Sequence, residues 1–144
     1  LLSEALADTA HLAEQRGLAL AVETRERVYI SGSEESLAIL LRNLLINAFR
    51  YATAGTTVAI HLRSGEGVQL QIANDCPPLS KQEFSRICER FYRAPGAVGQ
   101  GSGLGLSIVA RVAEQHGARL SVGPRDDHGG FRVSLEFPAA APGA

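Results

Sequence analysis

The chain is poor in sulfur and has no concentration of charge. Its 144 residues include two cysteines, Cys76 and Cys88, and 14 basic against 15 acidic side chains, for a formal net charge of −1. Two isolated cysteines are too few for a disulfide framework or a cysteine metal site, and they fit a reduced interior. Without a block of Lys or Arg there is no bulk attraction for nucleic acid or anionic lipid, so neither is expected as a partner. No apolar run approaches the ~20 residues of a membrane-spanning helix. No segment has signal-peptide form, and no internal repeat is present. His11, His61, His116 and His128 show no metal-ligand spacing and are expected at surface or loop positions. The chain opens on Leu1 rather than Met, which reads as a piece of something longer.

What is present is an ordinary globular composition, 45% hydrophobic and 20% charged, long enough for one domain with a real core. Apolar spacing predicts a helix over residues 3–16, stopped by Gly17. Strands are expected at 18–23 and 28–30. Ser33 followed by Glu34 and Glu35 predicts a helix start, with a run to about residue 52. Strands at 58–63 and 68–73 are joined through Ser64-Gly65-Glu66-Gly67 as a hairpin. Ser80-Lys81-Gln82-Glu83 reads as a capping box opening a helix to about residue 90. Residues 93–102 read as a loop, followed by a helix ending at His116-Gly117. Closing strands fall at 120–122 and 131–137. The order α-β-β-α-β-β-α-loop-α-β-β predicts an α+β two-layer sandwich rather than a strictly alternating parallel sheet. The tail at 139–144 reads as flexible.

Two patterns carry chemistry. Gly101-Ser102-Gly103-Leu104-Gly105-Leu106 is a glycine-dense turn feeding an apolar helix. Such turns let backbone N–H groups and the positive helix end approach phosphate closely. No strand precedes it, so the dinucleotide-binding fingerprint does not apply. The second pattern lies on the otherwise apolar helix around residues 37–49. Asn43, Asn47 and Arg50 stand at i, i+4 and i+7, on one face. Asn is a poor helix former, so two on adjacent turns form an unusual stripe. Asn oxygens suit Mg²⁺ together with phosphate oxygens and water, and the Arg50 fork suits phosphate. The alternative is a solvated surface stripe, which the residues alone favour less.

At this point the chain resembles a known family. Asn43-Leu44-Leu45-Ile46-Asn47-Ala48-Phe49-Arg50-Tyr51 resembles the N box of sensor histidine kinases, and Arg90-Phe91-Tyr92-Arg93 their F box. Asn74-Asp75-Cys76-Pro77-Pro78-Leu79 occupies the first glycine box, and the run at 101–106 resembles the second. All four stand in family order and spacing across nearly the whole chain. The resemblance implies the GHKL (Bergerat) ATP-binding sandwich, a mixed, mostly antiparallel sheet covered on one face by helices. It also implies ATP and Mg²⁺ as cofactors. Asn47 would ligate the metal with help from Asn43. Arg50 and Tyr51 would meet phosphates and sugar, Asn74 the adenine amine, and Leu79 and Leu106 the adenine slot. Phe91 would anchor a lid over residues 93–102, with Arg93 near the phosphates. Gly101, Ser102, Gly103, Leu104 and Gly105 would turn the lid and offer N–H groups. Gly129-Gly130-Phe131 matches a third glycine motif only weakly.

Two departures stand out. The usual first glycine box is Asp-x-Gly-x-Gly, and this chain has Asn74, Cys76 and Pro78 there, which predicts weaker nucleotide binding. In addition, no His is followed by Asp or Glu, so the phosphoacceptor hairpin is expected elsewhere. Residues 1–16 would then be a connecting helix, 17–138 the ATP-binding catalytic domain and 139–144 the tail. The expected function is donation of the γ-phosphoryl group of Mg-ATP to a histidine on the kinase's own dimerisation domain. A response regulator is expected as partner through the full-length kinase, a homodimeric inner-membrane sensor of which this chain would be a cytoplasmic domain. An autonomous ATPase of the gyrase type would carry a general-base Glu where Asn43 stands. A degenerate nucleotide-binding or interaction module with weak ATP binding would also fit the altered first glycine box. An anti-sigma-factor kinase would share the sandwich, but the Arg-Phe-Tyr-Arg box and lid fit the sensor kinases better.

Overall fold

The elements run α1 (Leu2–Gln15), β1 (Ala19–Thr24), α2 (Glu34–Tyr51), β2 (Thr57–Ser64), β3 (Gly67–Asn74), α3 (Gly101–Gln115), β4 (Arg119–Gly123) and β5 (Phe131–Pro138). The computed structural model describes residues 1–24, 30–77, 80–83, 85–86, 101–126 and 129–138, and over 101–106 the backbone course alone. The strands form one five-stranded sheet in the order β1-β2-β3-β5-β4. β1 and β2 are parallel. The pairs β2–β3, β3–β5 and β4–β5 are antiparallel. Parallel neighbours need a long crossover, and α2 supplies it. The mixed, mostly antiparallel two-layer sandwich expected from the element order is what forms.

Residue alternation separates the two faces of the sheet. Val58 and Ile60 of β2, Val68, Leu70 and Ile72 of β3, and Phe131, Val133, Leu135 and Phe137 of β5 are buried in the core shared with the helices. The alternate positions His61, Arg63, Gln69, Gln71, Arg132 and Glu136 carry polar side chains on the opposite face. There His61 Nδ1 stands 2.8 Å from Glu23 Oε2.

α2 is the centre of the helical layer, packing on α1, α3 and β3. Its buried residues Leu37, Leu40, Leu41, Leu44, Leu45, Ala48 and Phe49 follow the 3-1-3-1 spacing of one helix face. Ser33 caps it, its Oγ accepting from Ser36 N–H at 3.2 Å. The expected capping box at Ser80 is also formed. Glu83 N–H donates to Ser80 Oγ at 3.1 Å, and Ser80 N–H donates to Glu83 Oε1 at 3.2 Å. The helix after it is described at 81–83 and 85–86.

α3 ends where Gly117 adopts φ +66° and Ala118 N–H bonds back to Ala113 O at 2.9 Å. One residue earlier, His116 takes a role its spacing did not suggest. Its Nδ1 lies 2.8 Å from Val112 O, and its Nε2 accepts Ser33 N–H at 3.1 Å. This places Nδ1 as the donor and ties the C-terminal end of α3 to the N-cap of α2. The expected strand at 28–30 falls mostly on residues 28 and 29, outside the described residues, and Ile30 belongs to no strand.

Candidate functional site

The His116–Ser33 bond sets where the polar stripe and the glycine run meet. With α3 packed along α2 and its C-terminal end fixed at the start of α2, α3 runs back antiparallel to α2. At ~1.5 Å rise per residue, both Asn47 from Ser33 and Gly103 from His116 lie about 20 Å along. The start of α3 is therefore level with the second half of α2. The C-terminal end of β3 reaches the same end of the sheet, where Thr53 N–H, just past α2, donates to Asp75 O at 2.8 Å.

On α2, Asn43 and Asn47 are half-buried and Arg50 is exposed in the last turn, with Tyr51 half-buried beside it. Asn43 Nδ2 donates to Ile39 O at 2.8 Å, which turns the amide nitrogen back to its own helix and, among the described residues, leaves Oδ1 as an available acceptor. Asn oxygens side by side on one helix face, next to an Arg, are a donor set suited to a hard cation and phosphate oxygens. Among the described residues no group of three or more His, Cys, Asp or Glu side chains is placed to hold a metal.

Asn74 is the last residue of β3, paired with Phe131 of β5. It points into the helical layer with Ile72 and is only 2% exposed. A polar side chain buried this far needs partners. Among the described residues it makes one hydrogen bond, from Nδ2 to Asp75 O at 3.2 Å. Cys76 is half-buried and packs against the core. Burial, and secondarily the Asp75 carboxylate, push its thiol above the ordinary value.

The glycine run differs from expectation. The loop was expected to extend to residue 102, but helix begins at Gly101, so 101–106 form the first turns of α3. The first N–H groups of any helix lack an i−4 partner, and three glycines cost only about 1 kcal/mol each. Packing by the buried Val109, Val112 and Ala113 further along the helix offsets that cost. Donors for phosphate remain at this place, but they belong to the open first turn of a helix rather than to a preceding turn. Leu79, Phe91, Arg93 and most of the lid at 93–102 lie outside the described residues.

Sequence reasoning expects a turn at 126–130 between the closing strands but gives it no role at the site. Arg125 Nη1 stands 2.9 Å from Asp75 Oδ1 and reaches Thr57 O at 3.4 Å. Gly130, at φ +78°, lets this turn close onto β3, because a Cβ there would sit 2.8 Å from Asn74 O. The weak Gly129-Gly130 match was the only signal for it. Clefts of about 630 Å³ beside Arg63, Glu66 and Arg119, and about 590 Å³ beside Leu37, Leu62 and Phe137, lie toward the other end of the sheet and include none of the site residues. Among the described residues no helix is long and apolar enough to cross a membrane.

Comparison with known proteins agrees with this fold. Residues 32–141 match the family model described as histidine kinase-, DNA gyrase B- and HSP90-like ATPase. The chain is 34% identical over 138 residues to the sensor protein QseC of Escherichia coli K12, covering 95% of this chain and 30% of that protein. It is 32% identical over 146 residues to the sensor protein kinase PmrB of Pseudomonas aeruginosa, covering 100% of this chain and 30% of that one. It thus spans about 30% of the length of these curated relatives. Among solved structures, the catalytic domain of histidine kinase ThkA superposes with a TM-score of 0.79 at 20% identity, covering 96% of this chain and 91% of that one. Full-length ShkA in complex with AMPPNP gives 0.77 at 25%, covering 99% and 30%. With the family model spanning most of the chain, the chain belongs to the histidine kinase-, DNA gyrase B- and HSP90-like ATPase family.

Proposed function

We propose that this chain binds Mg-ATP at the end of the sheet where α2, β3 and α3 converge, and presents the γ-phosphoryl group to a histidine on a separate dimerisation domain. The observation that carries the reading is the convergence itself: Asn43, Asn47 and Arg50 on α2, the buried Asn74 and the open first turn of α3 at one end. Asn47, assisted by Asn43, would hold the metal through its amide oxygen. Mg²⁺, when bound, neutralises charge developing on the phosphate oxygens. Arg50 and Tyr51 meet the phosphates and sugar. The first-turn N–H groups of α3 face the phosphate tail. Asn74 accepts from the adenine amine, with Leu79, Leu106, Phe91 and Arg93 completing the slot and lid.

The γ-phosphorus–oxygen bond breaks and a phosphorus–nitrogen bond to imidazole forms, leaving ADP. Position 43, one turn before Asn47, is an amide that cannot deprotonate water. That favours transfer to a histidine over autonomous hydrolysis. In this reading residues 1–16 lead in from the phosphoacceptor hairpin, 17–138 hold the nucleotide and 139–144 form a tail. The parent protein is a homodimeric inner-membrane sensor whose cytoplasmic kinase passes phosphate to a response regulator.

The test is to incubate the chain with labelled ATP, Mg²⁺ and the phosphoacceptor hairpin of its parent kinase. The expected result is acid-labile label on a histidine, lost with Asn47→Ala. Failure of the wild-type chain to bind ATP, or label that survives Asn47→Ala, overturns the reading.

A further inference from the structure

If Asn74 reads the base, its chemistry raises a question that an aspartate would not. A carboxylate offers acceptors only. An amide offers an acceptor and a donor, and a half-turn about its last torsion exchanges them with little change in shape. With Oδ1 facing the base, Asn74 accepts from the 6-amino group of adenine. With Nδ2 facing the base, it donates to the 6-oxo group of guanine or hypoxanthine. Something besides Asn74 must choose.

We propose that the Arg125–Asp75 pair makes that choice, so that Arg125 is a positioning residue for base specificity. This rests on the nucleotide-site reading above. Asn74 Nδ2 donates to Asp75 O at 3.2 Å. Flipping the amide would set Oδ1 against that carbonyl, two acceptors facing each other, inside a residue that is 2% exposed. The preference holds only while the Asp75 carbonyl stays in place, and three contacts keep it there. Thr53 N–H donates to the same oxygen at 2.8 Å. Arg125 Nη1 grips the Asp75 carboxylate at 2.9 Å. The turn that carries Arg125 is itself closed, Arg125 N–H donating to Gly129 O at 3.0 Å. Gly130 lets that turn pack on the Asn74 backbone. Arg125 touches no reacting atom. It acts through Asp75, then through the amide of Asn74.

The ion pair is only partly shielded, its side chains being 24% and 52% exposed, so the effect is a few-fold change rather than a loss of binding. The experiment measures dissociation constants for ATP and inosine triphosphate, with Mg²⁺, on the 144-residue chain and on Arg125→Gln, Asp75→Asn and the double variant. Inosine triphosphate carries a 6-oxo group where ATP has the amine. The expected result is that the wild-type preference for ATP falls by about three- to fivefold in each single variant, and no further in the double variant, because both cut one link. Arg125→Lys should retain most of the preference. Melting temperature confirms that each variant is folded. Equal loss of affinity for both nucleotides would mark a merely structural role and overturn the proposal. If the wild type binds ATP and the ratio does not move, the positioning role fails while the site stands. If the wild type binds neither nucleotide, the site reading fails and takes this inference with it.

Discussion

Replacing Gly130 by alanine tests whether the β4–β5 turn is packed on β3 as tightly as described. Two costs add at this position. Gly130 has φ +78°, a region that costs an L-residue about 1 kcal/mol or somewhat more. A Cβ would also sit 2.8 Å from Asn74 O and 2.8 Å from Arg125 Cβ. Neither neighbour is the free end of a flexible side chain, so the overlap must be relieved by moving backbone, at about 1–3 kcal/mol. The sum is about 2–4 kcal/mol. Gly55 is the internal control: φ is +79° and a Cβ would meet nothing within 4 Å. Gly55→Ala therefore carries the backbone cost alone, about 1 kcal/mol. Urea unfolding of the two variants, followed by circular dichroism and compared at unchanged slope, isolates the contact cost as their difference. Values agreeing within about 0.5 kcal/mol would refute the tight contact and leave only the positive φ to favour glycine there.

Four more outcomes follow. Asn47→Ala should weaken ATP binding at least about tenfold when Mg²⁺ is present, and far less in excess chelator; isothermal titration under both conditions reads the difference. Asn74→Asp should tighten ATP binding, by supplying a charged acceptor, yet cost about 1–2 kcal/mol of stability without ligand, because its donor bond to Asp75 O becomes a repulsion between oxygens; nucleotide titration alongside thermal melting checks both. His116→Ala should remove the Ser33 link and lower stability by about 1 kcal/mol, with the fastest new hydrogen exchange at the first turn of α2. In a Cys88→Ser background, Cys76 should alkylate more slowly than free cysteine at pH 8 and speed up with Asp75→Asn, since burial and then Asp75 hold the thiol up. Its folded value lies above its unfolded one, so its contribution to stability is intact at low pH and declines as pH rises through the thiol range.

What was legible in the sequence was local. The 3-1-3-1 spacing of α2, the Ser33 cap and the Ser80/Glu83 box each sit within one or two turns, and each formed as expected. The Asn43–Asn47–Arg50 stripe was legible for the same reason. The start of α3 was misplaced by two residues because glycines there resemble a loop, and packing further along the helix outweighs their low propensity. The contacts that position the site were not legible. Arg125 meets Asp75 and His116 meets Ser33 through the fold, across 50 and 83 residues. Neither pairing has a periodic signature: Ser33 reads as a helix start and Asp75 as part of a glycine box, with nothing in either to name its distant partner.

The strand order has a consequence for how the protein is made. β5, the last strand among the described residues, lies between β3 and β4, and its first residue, Phe131, pairs with Asn74. The hairpin β2–β3 can zip as soon as it leaves the ribosome, since its partners are near in sequence. The other edge of β3 stays bare until residues 131–138 emerge. A chain stalled before that point has an unpaired central strand, an aggregation hazard, and an Asn74 with half its surroundings absent. If the proposed site is right, nucleotide competence waits for β5, and a nonsense codon ahead of β5 should remove it.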